Sequence, residues 1–188
     1  MIGLLLIGSY MLGNMLPALY AGRRTGRSVR QLGSGNPGAR NAGRVFGKWT
    51  FAAVLTADAA KGALPVLTAG WLGCEPAVRL LALLAVMLGH CFPAVHRFRG
   101  GKGAASFAGG LLAFDPLAAV PAVLLFAVLY PIIRRTTVSG ITAAAAFIPY
   151  CFVVYGTASG IAASGLIGLL LVTHRSNLRV IYRKGRSE

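Results

Sequence analysis

Acidic residues are nearly missing from this chain, with four Asp and Glu set against nineteen Lys and Arg in 188 residues, a formal net charge of +15. Charged residues of both signs reach only 12% while 56% are hydrophobic; a soluble domain carries roughly 25% charged residues. Such a composition argues against a water-soluble globule. Cysteine is scarce: Cys74, Cys91 and Cys151 follow no metal or disulfide spacing and read as small buried hydrophobes. The histidines, at positions 90, 96 and 174, have no evident carboxylate partners, so no metal site is expected. There is no GxSxG elbow and no acid placed for a Ser–His pair, which argues against a covalent acyl-enzyme. The first apolar stretch has no basic residues ahead of it, and similar stretches recur to the end, so a secreted globule behind a leader is not expected.

What is present is a series of apolar runs: Ile2–Tyr20, Trp49–Gly70, Leu80–Val95, Ala104–Phe114, Leu117–Ile133, Val138–Tyr155 and Ser159–Thr173. About 20 helical residues cross a hydrocarbon core of about 30 Å. These runs predict an all-α polytopic membrane protein with seven transmembrane helices in a single domain, residues 1–188. Ala104–Phe114 is short for a span, and Asp115–Pro116 is what divides it from the next run, since a carboxylate followed by proline suits a turn and not mid-bilayer helix.

Seventeen of the nineteen cationic residues sit in four segments between the runs. Arg23, Arg24, Arg27, Arg30, Arg40, Arg44 and Lys48 occupy the first loop; Arg97, Arg99 and Lys102 the third; Arg134 and Arg135 the fifth; Arg175, Arg179, Arg183, Lys184 and Arg186 the tail. The positive-inside rule puts all four on the cytoplasmic face of a bacterial inner membrane, with the N-terminus outside and the C-terminus cytoplasmic. Glu75, Arg79 and Asp115 fall on the opposite side. Because the cations alternate with lipid-spanning runs, the charge reads as topology and not as nucleic-acid binding.

Topology alone does not call for glycine. The first loop contains Gly33-Ser34-Gly35-Asn36-Pro37-Gly38-Ala39-Arg40-Asn41-Ala42-Gly43-Arg44, and the third Arg99-Gly100-Gly101-Lys102-Gly103. Glycines at this density allow positive φ and close backbone approach, so N–H groups of Gly33, Gly35, Gly38, Gly100, Gly101 and Gly103 are expected to turn toward an anion. Ser34, Asn36 and Asn41 add polar side chains, and Arg44 and Lys102 the charge for phosphate. The bland alternatives are a flexible positive linker and a lysine that only sets topology. The third loop is not a P-loop, since the GxxxxGK[ST] spacing is absent. Ser139 follows the fifth loop, and His174 and Asn177 lie three apart at a helix exit, on one face if helical. Asp58 and Lys61, also three apart, are expected to pair within the membrane and brace the site, with a catalytic dyad as the alternative, while His90 orients the third loop, titrates or makes a structural hydrogen bond.

These motifs together resemble the bacterial acyl-phosphate-dependent glycerol-3-phosphate acyltransferases, inner-membrane enzymes of phospholipid synthesis. The resemblance rests on Gly33-Ser34-Gly35-Asn36-Pro37-Gly38-Ala39-x-Asn41-x-x-Arg44, Asp58-x-x-Lys61-Gly62, Gly89-His90-x-Phe92-Pro93, Phe98-x-Gly100-Gly101-Lys102-Gly103, Ser139 and His174-Arg175-x-Asn177, in the family's order. It implies transfer of a fatty acyl group from acyl phosphate to the 1-hydroxyl of glycerol 3-phosphate, giving lysophosphatidate and inorganic phosphate, among membrane phospholipids and with no cofactor. It also implies that Ser34, Arg44, Lys102, Ser139, His174 and Asn177 carry the reaction. The chain departs from the pattern at Val180, where a basic residue is usual, at Gly185 and Glu188, which come late, and around Val138-Ser139. An anion transporter and an acyltransferase with another donor are the competing readings.

Overall fold

Proline at the first helical position marks three of the helix starts, Pro17, Pro76 and Pro116, where its missing N–H is no loss. The computed structural model describes residues 1–23 and 26–184, with the backbone alone from 180 to 184. The expectations for Arg24, Val180, Arg183, Lys184, Gly185, Arg186 and Glu188 therefore lie outside the described side chains. Among the described residues the helices are α1 (Ile2–Gly13), α2 (Pro17–Ala21), α3 (Ala39–Phe46), α4 (Lys48–Trp71), α5 (Pro76–Cys91), α6 (Ala104–Phe114), α7 (Pro116–Ile133), α8 (Thr136–Ala145) and α9 (Phe147–Lys184). The chain forms two compact units, Met1–Phe114 and Asp115–Glu188.

The sequence expectation of seven spans is corrected to five among the described residues. The helical segments long and apolar enough to cross a membrane are Ile2–Ala21, Lys48–Trp71, Pro76–His96, Pro116–Ile133 and Thr136–Arg179. α6 has 11 residues, about 16 Å at 1.5 Å per residue, and falls short of the hydrocarbon core. The two runs Val138–Tyr155 and Ser159–Thr173 lie within one 44-residue segment, which is interrupted at Gly156 (φ 81°, ψ 178°). The first correction follows from helix length, and the second from a break at Gly156 that interrupts the segment without a loop to separate two spans.

In the first unit α5 carries the core, with Leu80, Leu83, Val86 and Met87 fully buried. In lipid, where apolar burial gives no extra drive, helices associate through close packing at small residues. A Cβ added to Gly62 of α4 would lie 2.0 Å from the Ser106 carbonyl oxygen of α6, and one on Gly13 of α1 would lie 2.2 Å from that of Val86 on α5. The expected Asp58–Lys61 pair is present and fully buried. Lys61 Nζ lies 3.0 Å from Asp58 Oδ1 and donates to the carbonyls of Met15 (2.6 Å) and Gly13 (3.3 Å), where α1 ends and its carbonyls need partners. His90 Nδ1 stands 3.5 Å from the same Asp58 oxygen. One buried group of charges thus ties α1, α4 and α5 together. A smaller core of Ala18, Val29, Ala39, Ala42 and Val54, flanked by Leu19 and Phe46, seats the first loop.

Arg79 closes the far end of this unit. It donates to the carbonyls of Phe114 (3.0 Å) and Ala113 (3.4 Å), and its guanidinium covers the Phe114 ring at 4.9 Å. In the second unit the turn expected at Asp115–Pro116 is present. Asp115 caps α7 by accepting from Leu117 N at 2.9 Å, and its other oxygen accepts from the hydroxyls of Tyr150 and, at 2.8 Å, Tyr155. α7 leaves Leu117, Val123 and Ile132 largely exposed, an apolar surface suited to lipid.

Candidate active site

Asn41 organises the first glycine-rich loop. Its side chain is buried, with Oδ1 accepting from Ser34 N at 2.9 Å and Nδ2 donating to the carbonyls of Leu32 (2.9 Å) and Val29 (3.0 Å). A Cβ on Gly33, which has φ +60°, would lie 2.3 Å from Asn41 Oδ1, so both the turn and the amide's approach require glycine there. Gly35 N donates to Leu32 O and Gly38 N to Asn36 O; the Gly38 carbonyl then receives Asn41 N and Ala42 N and opens α3. Ser34 is exposed and Asn36 half-buried.

The third loop is fixed to the end of α5. Gly100 N donates to Cys91 O (3.1 Å) and Gly101 N to His90 O (3.0 Å). His90 also lies against the loop, since a Cβ on Gly101 would come within 2.2 Å of its Nε2. The His90 ring thus lies between the buried Asp58 carboxylate and the third loop, a placement that suits the structural and loop-orienting roles read for it. Gly103, at φ +79°, ends the loop and its carbonyl accepts from Phe107 N in the first turn of α6.

On these contacts part of the expected nest of backbone donors is turned inward. The N–H groups of Ser34, Gly35, Gly38, Gly100 and Gly101 are engaged within the protein, and the Asn41 amide holds its own loop. These glycines and Asn41 shape the two loops, whose charge comes from side chains. Arg40 and Arg44 are exposed at i and i+4 of α3, on one helix face, where like charges repel. Lys102 is half-buried. Burial pushes its ammonium below the ordinary lysine range, and the nearby charge of Arg40 pushes it further.

Arg40 was read from the sequence only as part of the basic loop, and Arg30 likewise. Yet Arg30 reaches across to the third loop, its Nη2 donating to Arg99 O. A basic residue 69 positions from its acceptor carries no sequence signal for the bond.

The remaining expected residues belong to the second unit. Ser139 of α8 is fully buried. Asn177 of α9 donates from Nδ2 to Thr137 Oγ1 of α8 at 3.3 Å, and His174, one turn earlier, is half-buried. His174 Nδ1 sits 2.9 Å from Leu170 O. A carbonyl only accepts, so in the neutral ring Nδ1 carries the hydrogen and Nε2 the lone pair.

A family model described as glycerol-3-phosphate acyltransferase matches residues 3–184. The chain belongs to the glycerol-3-phosphate acyltransferase family. Glycerol-3-phosphate acyltransferase 1 of Bacillus cereus is 41% identical over 170 residues, covering 90% of this chain and 92% of that protein. The Anaeromyxobacter enzyme is 37% identical over 190 residues, covering 97% and 94%. Among solved structures, the crystal structure of PlsY (YgiH), an integral membrane glycerol 3-phosphate acyltransferase, in its glycerol 3-phosphate form aligns with TM-score 0.88 and 30% identity, covering 97% of this chain and 92% of that one. Its lysophosphatidic acid form aligns with TM-score 0.86 and 29% identity, over the same shares. The family match extends over both compact units.

Proposed function

We propose that this protein transfers a fatty acyl group from acyl phosphate to the 1-hydroxyl of glycerol 3-phosphate, releasing 1-acylglycerol 3-phosphate and inorganic phosphate. It is a multi-pass protein of the bacterial inner membrane. The observation that carries the reading, beside family membership, is the contact between the two glycine-rich loops, Arg30 Nη2 to Arg99 O, which brings the Lys102 loop beside the basic first loop. Both substrates are phosphorylated, and such a site suits them. The first loop, the third loop and the tail, which five spans place on one face, hold fifteen of the nineteen cations and support a site facing the cytoplasm, with Arg134 and Arg135 left on the other face.

In this reading Lys102 and Arg44 neutralise phosphate charge and Ser34 donates a hydrogen bond, as preorganised donors do where charge develops. The resemblance assigns Ser139, His174 and Asn177 to the same reaction. The glycerol oxygen attacks the acyl carbonyl carbon, the bond from that carbon to the phosphate oxygen breaks, and phosphate leaves with the electron pair. The hydroxyl proton passes to His174 Nε2, the ring nitrogen bearing the lone pair, with the leaving phosphate as the competing acceptor.

Purified protein given acyl phosphate and glycerol 3-phosphate is expected to form lysophosphatidate. Product from acyl-CoA and none from acyl phosphate would replace the donor. Phosphate flux across vesicles without product would replace the enzyme with a transporter.

A further inference from the structure

We propose that Arg30 is a positioning residue of this site, a side-chain strap that holds the Lys102 loop in register with the Ser34–Arg44 loop; the inference rests on the acyltransferase reading. Each loop is internally fixed. The first is held by the Asn41 amide at Val29 O and Leu32 O, on either side of Arg30. Arg30 N itself donates to Ser28 Oγ at 3.3 Å, and its carbonyl packs over Gly35, where a Cβ would lie 3.0 Å away. The base of the Arg30 side chain is therefore rigid. The third loop hangs from the end of α5 by the Gly100 and Gly101 N–H groups.

From the first loop, Arg30 Nη2 donates to Arg99 O. Arg99 precedes Gly100-Gly101-Lys102, so the acceptor is three residues from the lysine that meets phosphate. The chain just before it is strained. Arg97 and Phe98 both hold positive φ, 55° and 57°, a conformation that L residues adopt at a cost. Backbone bonds from Arg97 N to Ala94 O, Phe98 N to Pro93 O and Arg99 N to His96 O hold this turn from its own side. Arg30 holds it from the other loop. A charge-assisted bond between two otherwise rigid bodies fixes their separation, and that separation sets where Lys102 stands relative to Ser34 and Arg44.

The test uses the full-length purified chain with acyl phosphate and glycerol 3-phosphate. A wild-type protein that makes no lysophosphatidate would overturn the acyltransferase reading itself. With wild-type activity established, Arg30→Ala is expected to lose about tenfold to a hundredfold in kcat/KM, the scale of a misplaced catalytic group. Three further readouts separate a strap from a diffuse charge. The loss persists at high salt, where long-range attraction is screened. Millimolar guanidinium ion restores part of the rate to Arg30→Ala and none to Lys102→Ala. Arg30→Gln, too short to reach the Arg99 carbonyl, is as slow as Arg30→Ala. Should Arg30→Ala not accumulate, Arg30→Gln carries the test. Wild-type kcat/KM in folded Arg30→Ala or Arg30→Gln, or a defect that vanishes at high salt, would overturn the strap.

Discussion

Asp58 and Asp115 are two of the chain's four acids, one in each compact unit, and they are held by opposite means. Asp58 is buried within a predicted span against a lysine and a histidine, and its lysine is in turn bound by the carbonyls that end α1. Asp115 stands between helices and is held by neutral donors, two tyrosine hydroxyls and a backbone N–H. The first arrangement is indivisible. Removing either charge strands the other in a medium where it cannot be solvated. The second is a sum of separate bonds, each replaceable. The difference follows the chemistry beside each: Asp58 leans on His90 beneath the Gly101 loop, whereas Asp115 joins helix ends.

The largest expected effect breaks the first arrangement. Asp58→Ala leaves Lys61 buried without its counter-charge, at a cost of about 3–5 kcal/mol, read as early unfolding on heating in detergent. Replacing both, Asp58→Leu with Lys61→Met, is expected to recover much of that loss, because the stranded charge goes too. A single Asp58→Ala that unfolds like wild type would show that the group does not brace α1, α4 and α5.

Asp115→Asn sharpens the contrast from the other side. Asn can still cap α7, but its amide offers one acceptor where the carboxylate offers two. The expected cost is about 1 kcal/mol, with kcat for acyl transfer unchanged. Partial burial pushes the Asp115 carboxyl up, but the hydrogen bonds from Tyr150, Tyr155 and the α7 backbone outweigh it and hold it below the ordinary range. A depressed folded pKa contributes stability above the unfolded value, about 3.9, that is lost as pH falls through the folded value. The variant should lose that acid-range component. A cost as large as at Asp58 would erase the distinction between the two sites.

Much of this was legible in the residues. The Asp115–Pro116 turn followed from the chemistry of a carboxylate before proline, and the Asp58–Lys61 pair from helical spacing, because both are local. Family membership was legible from motifs in order. The span count was not, since Ala104–Phe114 has apolar character without the length, and the break at Gly156, where the sequence divides two runs, lies within one apolar segment. Nor were the donors at the site. Glycine density announces close approach without saying what approaches, and here it is the protein's own Asn41 amide and His90 ring. Arg30 and Arg40 look like any other cations of a positive loop until the fold brings the third loop beside them.

The smallest effect tests whether charges at the site feel one another as Asp58 and Lys61 do, with the sign reversed. In the proposed mechanism Lys102 must be protonated to neutralise phosphate, and burial together with Arg40 holds its pKa below the usual lysine value. Activity should therefore fall on the alkaline side at a lower pH than an ordinary lysine, near 10.4, would give. Arg40→Gln removes one of the two causes. Its alkaline limb should move upward in the kcat/KM profile, which reports the free enzyme, while burial still keeps it below the ordinary value. The same substitution removes a cation from the approach to the site, so KM for glycerol 3-phosphate should rise at low salt, with wild type and variant converging as salt is added. An alkaline limb that stays where the wild type has it would mean that Arg40 and Lys102 act as separate charges, and that the crowding plays no part in how the site receives phosphate.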